Sequence, residues 1–89
     1  MQIDVYDSYA QSKNGHDMHF DVFVERGASK EKAFEYGRFW LTKIGEDAEG
    51  LEQSRCNYCH YEQANPDVQE AIQKNGYYIL QMEGCPNPN

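Results

Sequence analysis

Cys56-Asn57-Tyr58-Cys59-His60 is the segment of this chain whose residue types and spacing point most directly at chemistry. Two thiolates separated by two residues can grip one tetrahedral metal from a tight knuckle, and Cys85 offers a third sulfur from later in the chain. A histidine completes the set. His60 is nearest, with His19 and His16 as alternatives, so Cys56, Cys59, His60 and Cys85 are the expected ligands and zinc the expected ion. The competing reading is packing, because free cysteines are among the most buried residues and the three sulfurs then serve as small apolar side chains. Both readings stand on the sequence.

The same segment has the literal form of a c-type haem attachment site, which belongs to exported proteins. The chain opens on Met1-Gln2-Ile3-Asp4 and runs straight into strand-like alternation, with no basic start and no apolar run of signal-peptide length. The cytoplasm is therefore the expected compartment, and haem attachment is set aside. A thioredoxin-type dithiol needs its first cysteine at a helix N-terminus, where the dipole lowers the thiol pKa. Here the next helix signal, Asn65, comes six residues after Cys59. A redox role for Cys56 and Cys59, or a small enzyme built on Cys59, remains the alternative to a binding function. Cys59 and His60 would point to opposite faces of a strand, so a base would have to come from elsewhere, such as His19. His19 itself, between Met18 and Phe20, reads as a polar-face strand residue. The acid pairs Asp4 with Asp7 and Asp17 with Asp21 read as solvated charges rather than as a general acid and base. There is no phosphate-binding loop, nucleophile elbow or glycine fingerprint.

The elements that must position these residues follow from periodicity. Ile3 to Tyr9 alternates, as does Met18 to Val24, and period two over such lengths means strands. Between them Ser12-Lys13-Asn14-Gly15 predicts a tight hairpin, with Asn14 and Gly15 supplying the two positive-φ positions. After Gly27-Ala28, Ser29 caps a helix whose apolar face carries Ala33, Phe34, Tyr36, Gly37, Trp40, Leu41 and Ile44, with Gly45 as its stop. Phe39 falls outside that face and is predicted to be exposed. Glu46 to Gly50 reads as an acidic loop, and a third strand is expected near Arg55 to Tyr61. Asn65 caps a second helix that starts on Pro66, buries Val68, Ala71 and Ile72, and ends at Gly76. Tyr77 to Met82 is a final strand with both faces buried.

The order β-β-α-β-α-β predicts an α+β fold: a small four-stranded mixed or antiparallel sheet with two helices packed on one face. Residues 1–85 form the expected single domain and 86–89 a loose tail. At 89 residues there is room for one domain and not for a large enclosed cavity. Eight basic against fifteen acidic residues give a net charge of −7, spread along the chain, which speaks against nucleic acid and anionic membrane surfaces as partners. No apolar stretch approaches the roughly 20 residues of a membrane span. Three cysteines are an odd number, so they cannot all pair within the chain.

Four segments taken together, Val5-Tyr6-Asp7-Ser8-Tyr9, Met18-His19-Phe20-Asp21-Val22, Cys56 to Glu62, and Gly76-Tyr77-Tyr78-Ile79 through Met82-Glu83-Gly84-Cys85, resemble the small bacterial family called domain of unknown function DUF2024. The resemblance spans nearly the whole chain. It implies a compact α+β fold with a small sheet and two helices. It carries no activity, and so no catalytic residue. The residues themselves favour a small non-catalytic cytoplasmic binding domain, with a structural zinc site as one of the two readings of its cysteines and packing as the slightly favoured one, and exposed Phe39 suggests a protein partner or a homodimer.

Overall fold

A computed structural model describes residues 1–86. Strands β1 (Gln2–Gln11) and β2 (Asp17–Glu25) form the hairpin, followed by helix α1 (Lys30–Lys43), a short 3-10 turn (Ala48–Gly50), strand β3 (Leu51–Gln63), helix α2 (Pro66–Asn75) and strand β4 (Tyr77–Gln81). The element order is the expected β-β-α-β-α-β. All neighbours in the sheet are antiparallel, in the order β3-β1-β2-β4, so β3 and β4 lie at opposite edges. The expected tail falls outside the described residues apart from Pro86.

The hairpin turn is longer than the sequence suggests. Gln11 pairs with Asp17, leaving a five-residue loop, and only Gly15 within it has a positive φ, at 86°. Asn14 does not take the left-handed conformation of a two-residue turn. Instead Gly15 N–H donates to the Ser12 carbonyl and Ser12 N–H to the His16 carbonyl, while the buried Ser12 hydroxyl accepts from the N–H groups of Asn14 and His16. A short side chain that satisfies turn N–H groups does the work of a tighter backbone. The pairing that results sets Asp7 opposite Asp21 and Tyr9 opposite His19.

The caps behave as the sequence predicts. Ser29 Oγ accepts from Lys32 N–H, Asn65 Oδ1 accepts from Val68 N–H, Pro66 opens α2, and Gly76 closes it at φ 92°. The helices, however, pack on opposite faces of the sheet, not on one. Trp40, Leu41 and Ala33 of α1 join Tyr6, Ala10, Phe20, Val22, Val24, Tyr77 and Ile79 in one core. Val68 and Ile72 of α2 join Ile3, Val5 and Phe23, backed by Tyr78 and Leu80, in a separate one. Alternation explains this, since the even positions of β2 (Met18, Phe20, Val22, Val24) are apolar throughout and face α1, whereas the odd positions of β1 and β2 are apolar only at the end that carries Ile3, Val5 and Phe23. Each apolar stretch needs its own cover.

β3 runs well beyond Arg55–Tyr61. Its pairing with β1 shifts register twice, between Val5 and Tyr6 and between Ser8 and Ala10, and Cys59 is the extra residue of the first bulge. Most of the strand is exposed, because it is an edge with helix cover only near Leu51 and Cys56. No helix among the described residues is long and apolar enough to cross a membrane.

The turn geometry yields a test by urea denaturation. Gly15→Ala should lower stability by about 1–2 kcal/mol, because a side chain is strained at positive φ. Asn14→Gly, which would strengthen a two-residue turn, should lower stability by about 0.5–1 kcal/mol.

Candidate functional site

α2 covers only part of its face of the sheet. Where its apolar contacts stop, the same face continues as a polar row, in which Asn57 of β3 opposes Asp7 of β1, Asp7 opposes Asp21 of β2, and Asp21 opposes Leu80 of β4. One step further along the hairpin, Tyr9 opposes His19. Alternation places Asp7, Tyr9, His19 and Asp21 on this one open face.

Asp7, His19 and Asp21 each offer one ligand atom, and the three atoms lie within 4.8 Å of one another. This is the one such group of three or more His, Cys, Asp or Glu side chains among the described residues. His19 Nε2 stands 2.6 Å from Asp7 Oδ1, a short charge-assisted contact. The Tyr9 ring lies flat on the His19 imidazole, with centroids 4.2 Å apart and planes 6° apart, and fixes its orientation. Arg55 lies over the other ring of this stack, 5.3 Å from the Tyr9 centroid, and 4.0 Å from exposed Asp17.

Asp21 carries the electrostatic strain of the site. Its carboxyl is pushed up to about 6, first by partial burial, then by the Asp7 charge and the hydrogen bond with Asp7, with His19 and His60 pulling the other way. Two carboxyls that hold a proton between them cannot both ionise cheaply. The His19 main chain is clamped as well. Its N–H donates to the Glu83 carbonyl, and its carbonyl accepts from Met82 N–H and from the Cys85 thiol at 3.3 Å.

The four residues expected as ligands from the sequence are not brought together. Cys56 is buried beside Ser8 on the α1 face, and Cys59 is exposed in the edge bulge. His60 is on the α2 face, its Nε2 2.8 Å from Glu62 Oε1. Cys85 is buried on the far side of the sheet beneath His19, two strands from Cys56, which at strand spacing is roughly 10 Å. Burial pushes the Cys56 and Cys85 thiols up, which makes them poor thiolates. These two sulfurs follow the packing reading. Of the alternative histidines, His16 is held in the turn, with Nδ1 2.9 Å from Ser12 Oγ and Nε2 3.0 Å from the Gly84 carbonyl. Asp4 is buried, and its carboxylate accepts from Arg26 and from Gly27 N–H, so it organises the loop after β2.

Reading Asp7 and Asp21 as solvated charges missed this site, and the hairpin register is the signal that finds it. A two-residue turn over Asn14-Gly15 would pair Asp7 with Val22; the five-residue loop pairs it with Asp21.

The family model for domain of unknown function DUF2024 matches residues 1–82. The chain is also similar to protein NE1680 from Nitrosomonas europaea, whose structure was solved by NMR: 48% identity, coverage of 96% of this chain and 99% of that one, and a TM-score of 0.83. The two share one fold. No curated protein matches the chain.

Two outcomes follow. Asp21 holds its proton more tightly when folded, so its contribution to stability is fully present below the ordinary value of 3.8 and is lost as the pH rises through about 6. Asp21→Asn should therefore raise unfolding free energy at pH 8 by about 1–2 kcal/mol, discounted for the open site, and change it little at pH 4. A thiol titration should find one fast-reacting cysteine in the native protein, Cys59, and three after denaturation. Fast reaction of Cys56 would contradict its placement.

Proposed function

We propose, for a chain that belongs to the DUF2024 family, that it works as a small non-catalytic binding domain whose ligand is a divalent cation held by Asp7, His19 and Asp21. The observation that carries this is convergence: three side chains with metal-binding atoms meet on rigid strands at an open part of the sheet. Loops are not involved, and strand-borne ligands keep their spacing.

The donor set selects the ion. One imidazole and two carboxylates suit zinc or manganese, whereas calcium prefers an all-oxygen shell and magnesium keeps most of its water. Metal–ligand distances of about 2.0–2.2 Å set neighbouring donors about 3–3.5 Å apart, so the 2.6 Å contact of His19 Nε2 with Asp7 Oδ1 would open to admit the ion, with the Asp21 carboxylate already within 4.8 Å of both. Three protein ligands leave further positions for water or for an anionic group of a second ligand. The strain at Asp21 supports the same reading, because a cation between Asp7 and Asp21 would relieve the repulsion between the two carboxylates.

The unit that binds is residues 1–85, and the compartment that fits an odd set of free cysteines is the cytoplasm. A protein partner or second copy of the chain, the remaining part of this reading, is supported by the exposed rings of Tyr58 and Tyr61 on β3.

Calorimetry and thermal melting in zinc, manganese, magnesium and calcium test the metal assignment. Zinc or manganese at a hundred times Kd should stabilise the fold by about 2.7 kcal/mol. His19→Gln or Asp21→Asn should weaken binding about tenfold or more, while the double variant Cys59→Ser, His60→Gln binds as the parent does. Unchanged affinity in Asp21→Asn, or loss of binding in the Cys59 and His60 double variant, sinks the assignment.

A further inference from the structure

An ion on Asp7, His19 and Asp21 keeps coordination positions open, and Arg55 stands beside them as a second binding group. It is the one lysine or arginine carried by the four strands. Strand order β3-β1-β2 sets three side chains in a row on the face of the cluster: the Arg55 guanidinium, the Tyr9 ring and the His19 imidazole. The phenol ring holds the guanidinium by its π-face, with no hydrogen bond needed.

Two properties fit Arg55 for binding an anion. Its contacts among the described residues are the Tyr9 ring and Asp17 at 4.0 Å, longer than a hydrogen bond. Both side chains of that ion pair are open to water, at 44% and 65% exposure, so it is screened and contributes little. The guanidinium is thus oriented while its fork of N–H donors stays available, and such a fork takes a carboxylate through two parallel hydrogen bonds. The second property is charge. One divalent ion, two Asp carboxylates and a neutral imidazole balance, which leaves Arg55 as a local positive end in a chain of net charge −7.

Spacing selects the anion. The stacking distances of 4.2 and 5.3 Å put the guanidinium carbon about 9.5 Å from the imidazole centre across the Tyr9 ring, in keeping with two strand spacings of about 4.8 Å. A single carboxylate, with one oxygen about 2.1 Å from the ion and the other about 2.8 Å from a guanidinium nitrogen, reaches roughly 7 Å and falls short. A second carboxylate three carbon–carbon bonds further on adds roughly 4 Å and closes the gap.

We propose, resting on the cation assignment above, that the site takes a short organic dicarboxylate of the succinate type. One carboxylate sits on the ion and the other in the Arg55 fork, with the chain along the open side of Tyr9.

The test is an NMR titration of the zinc-loaded protein with succinate, acetate and inorganic phosphate at constant ionic strength. Succinate should shift the Tyr9 ring and Arg55 Nε–H signals and saturate in the millimolar range, with acetate and phosphate about tenfold weaker. Arg55→Gln should lower succinate affinity about tenfold, to the level of acetate, and change acetate affinity by less than about twofold. Arg55 lies outside both cores, and an unchanged amide spectrum away from it shows that the variant is folded. Acetate binding as tightly as succinate, or parent-like succinate affinity in Arg55→Gln, overturns the bridge. Succinate binding of equal strength without zinc does so too. The two assignments fail distinguishably: a protein that binds no zinc loses both, whereas normal zinc binding with no succinate saturation by about 50 mM removes the dicarboxylate alone.

Discussion

The pairing of Gln11 with Asp17 across a loop closed by Ser12 and Gly15 is the constraint on which the rest of the molecule depends. Side chains alternate strictly along a strand, so a shift of one residue in this register would change every cross-strand neighbour of the hairpin. With the observed register, Val5 meets Phe23 under α2, Tyr6 meets Val22 under α1, and Asp7 meets Asp21 where neither helix reaches. Core and site are thus two results of one alignment. The Ser12 hydroxyl, buried and bonded to two turn N–H groups and to His16, secures it at the point where error would be amplified most.

Unequal helices on the two faces explain why a polar patch can exist at the middle of the sheet. α1, with fourteen residues, is about 21 Å long and α2, with ten, about 15 Å, against about 33 Å for a ten-residue strand. α1 is long enough to cover the inner strands of its face with help from Leu51 and Cys56. α2 covers the end that carries Ile3, Val5 and Phe23, and leaves the other end to Asp7, Tyr9, His19 and Asp21. Stability and a binding surface are divided along the length of the same strands. The strain at Asp21 belongs to the part of that face which α2 leaves uncovered.

Local chemistry made much of this legible in the sequence. Ser29, Asn65, Pro66 and Gly76 act within one turn of where they sit, so the helix boundaries could be read from them. Exposed Phe39 followed from helical angle alone. The length of β3 did not, because an edge strand with both faces near solvent has no apolar alternation to display. The face chosen by α2 depends on which parity of β1 is apolar at which end, a long-range matter. Cys56 and Cys85 show the limit of spacing as a guide. Their residue types suggest one site, yet strand order puts β1 between the strand of Cys56 and the strand of His19, on whose carbonyl Cys85 rests. Cys85 reaches the site after all, through the His19 carbonyl rather than through a metal.

The bulge at Cys59 has a consequence for how this protein survives at high concentration. A thirteen-residue edge strand bearing Tyr58 and Tyr61 offers a long row of backbone donors and acceptors, the kind of rim on which other chains stack into insoluble cross-β assemblies. The extra residue interrupts that row, and the second register shift near Leu51 interrupts it again. An incoming strand finds no uninterrupted template longer than a few residues. The irregularities of β3 thereby act as gatekeepers of solubility.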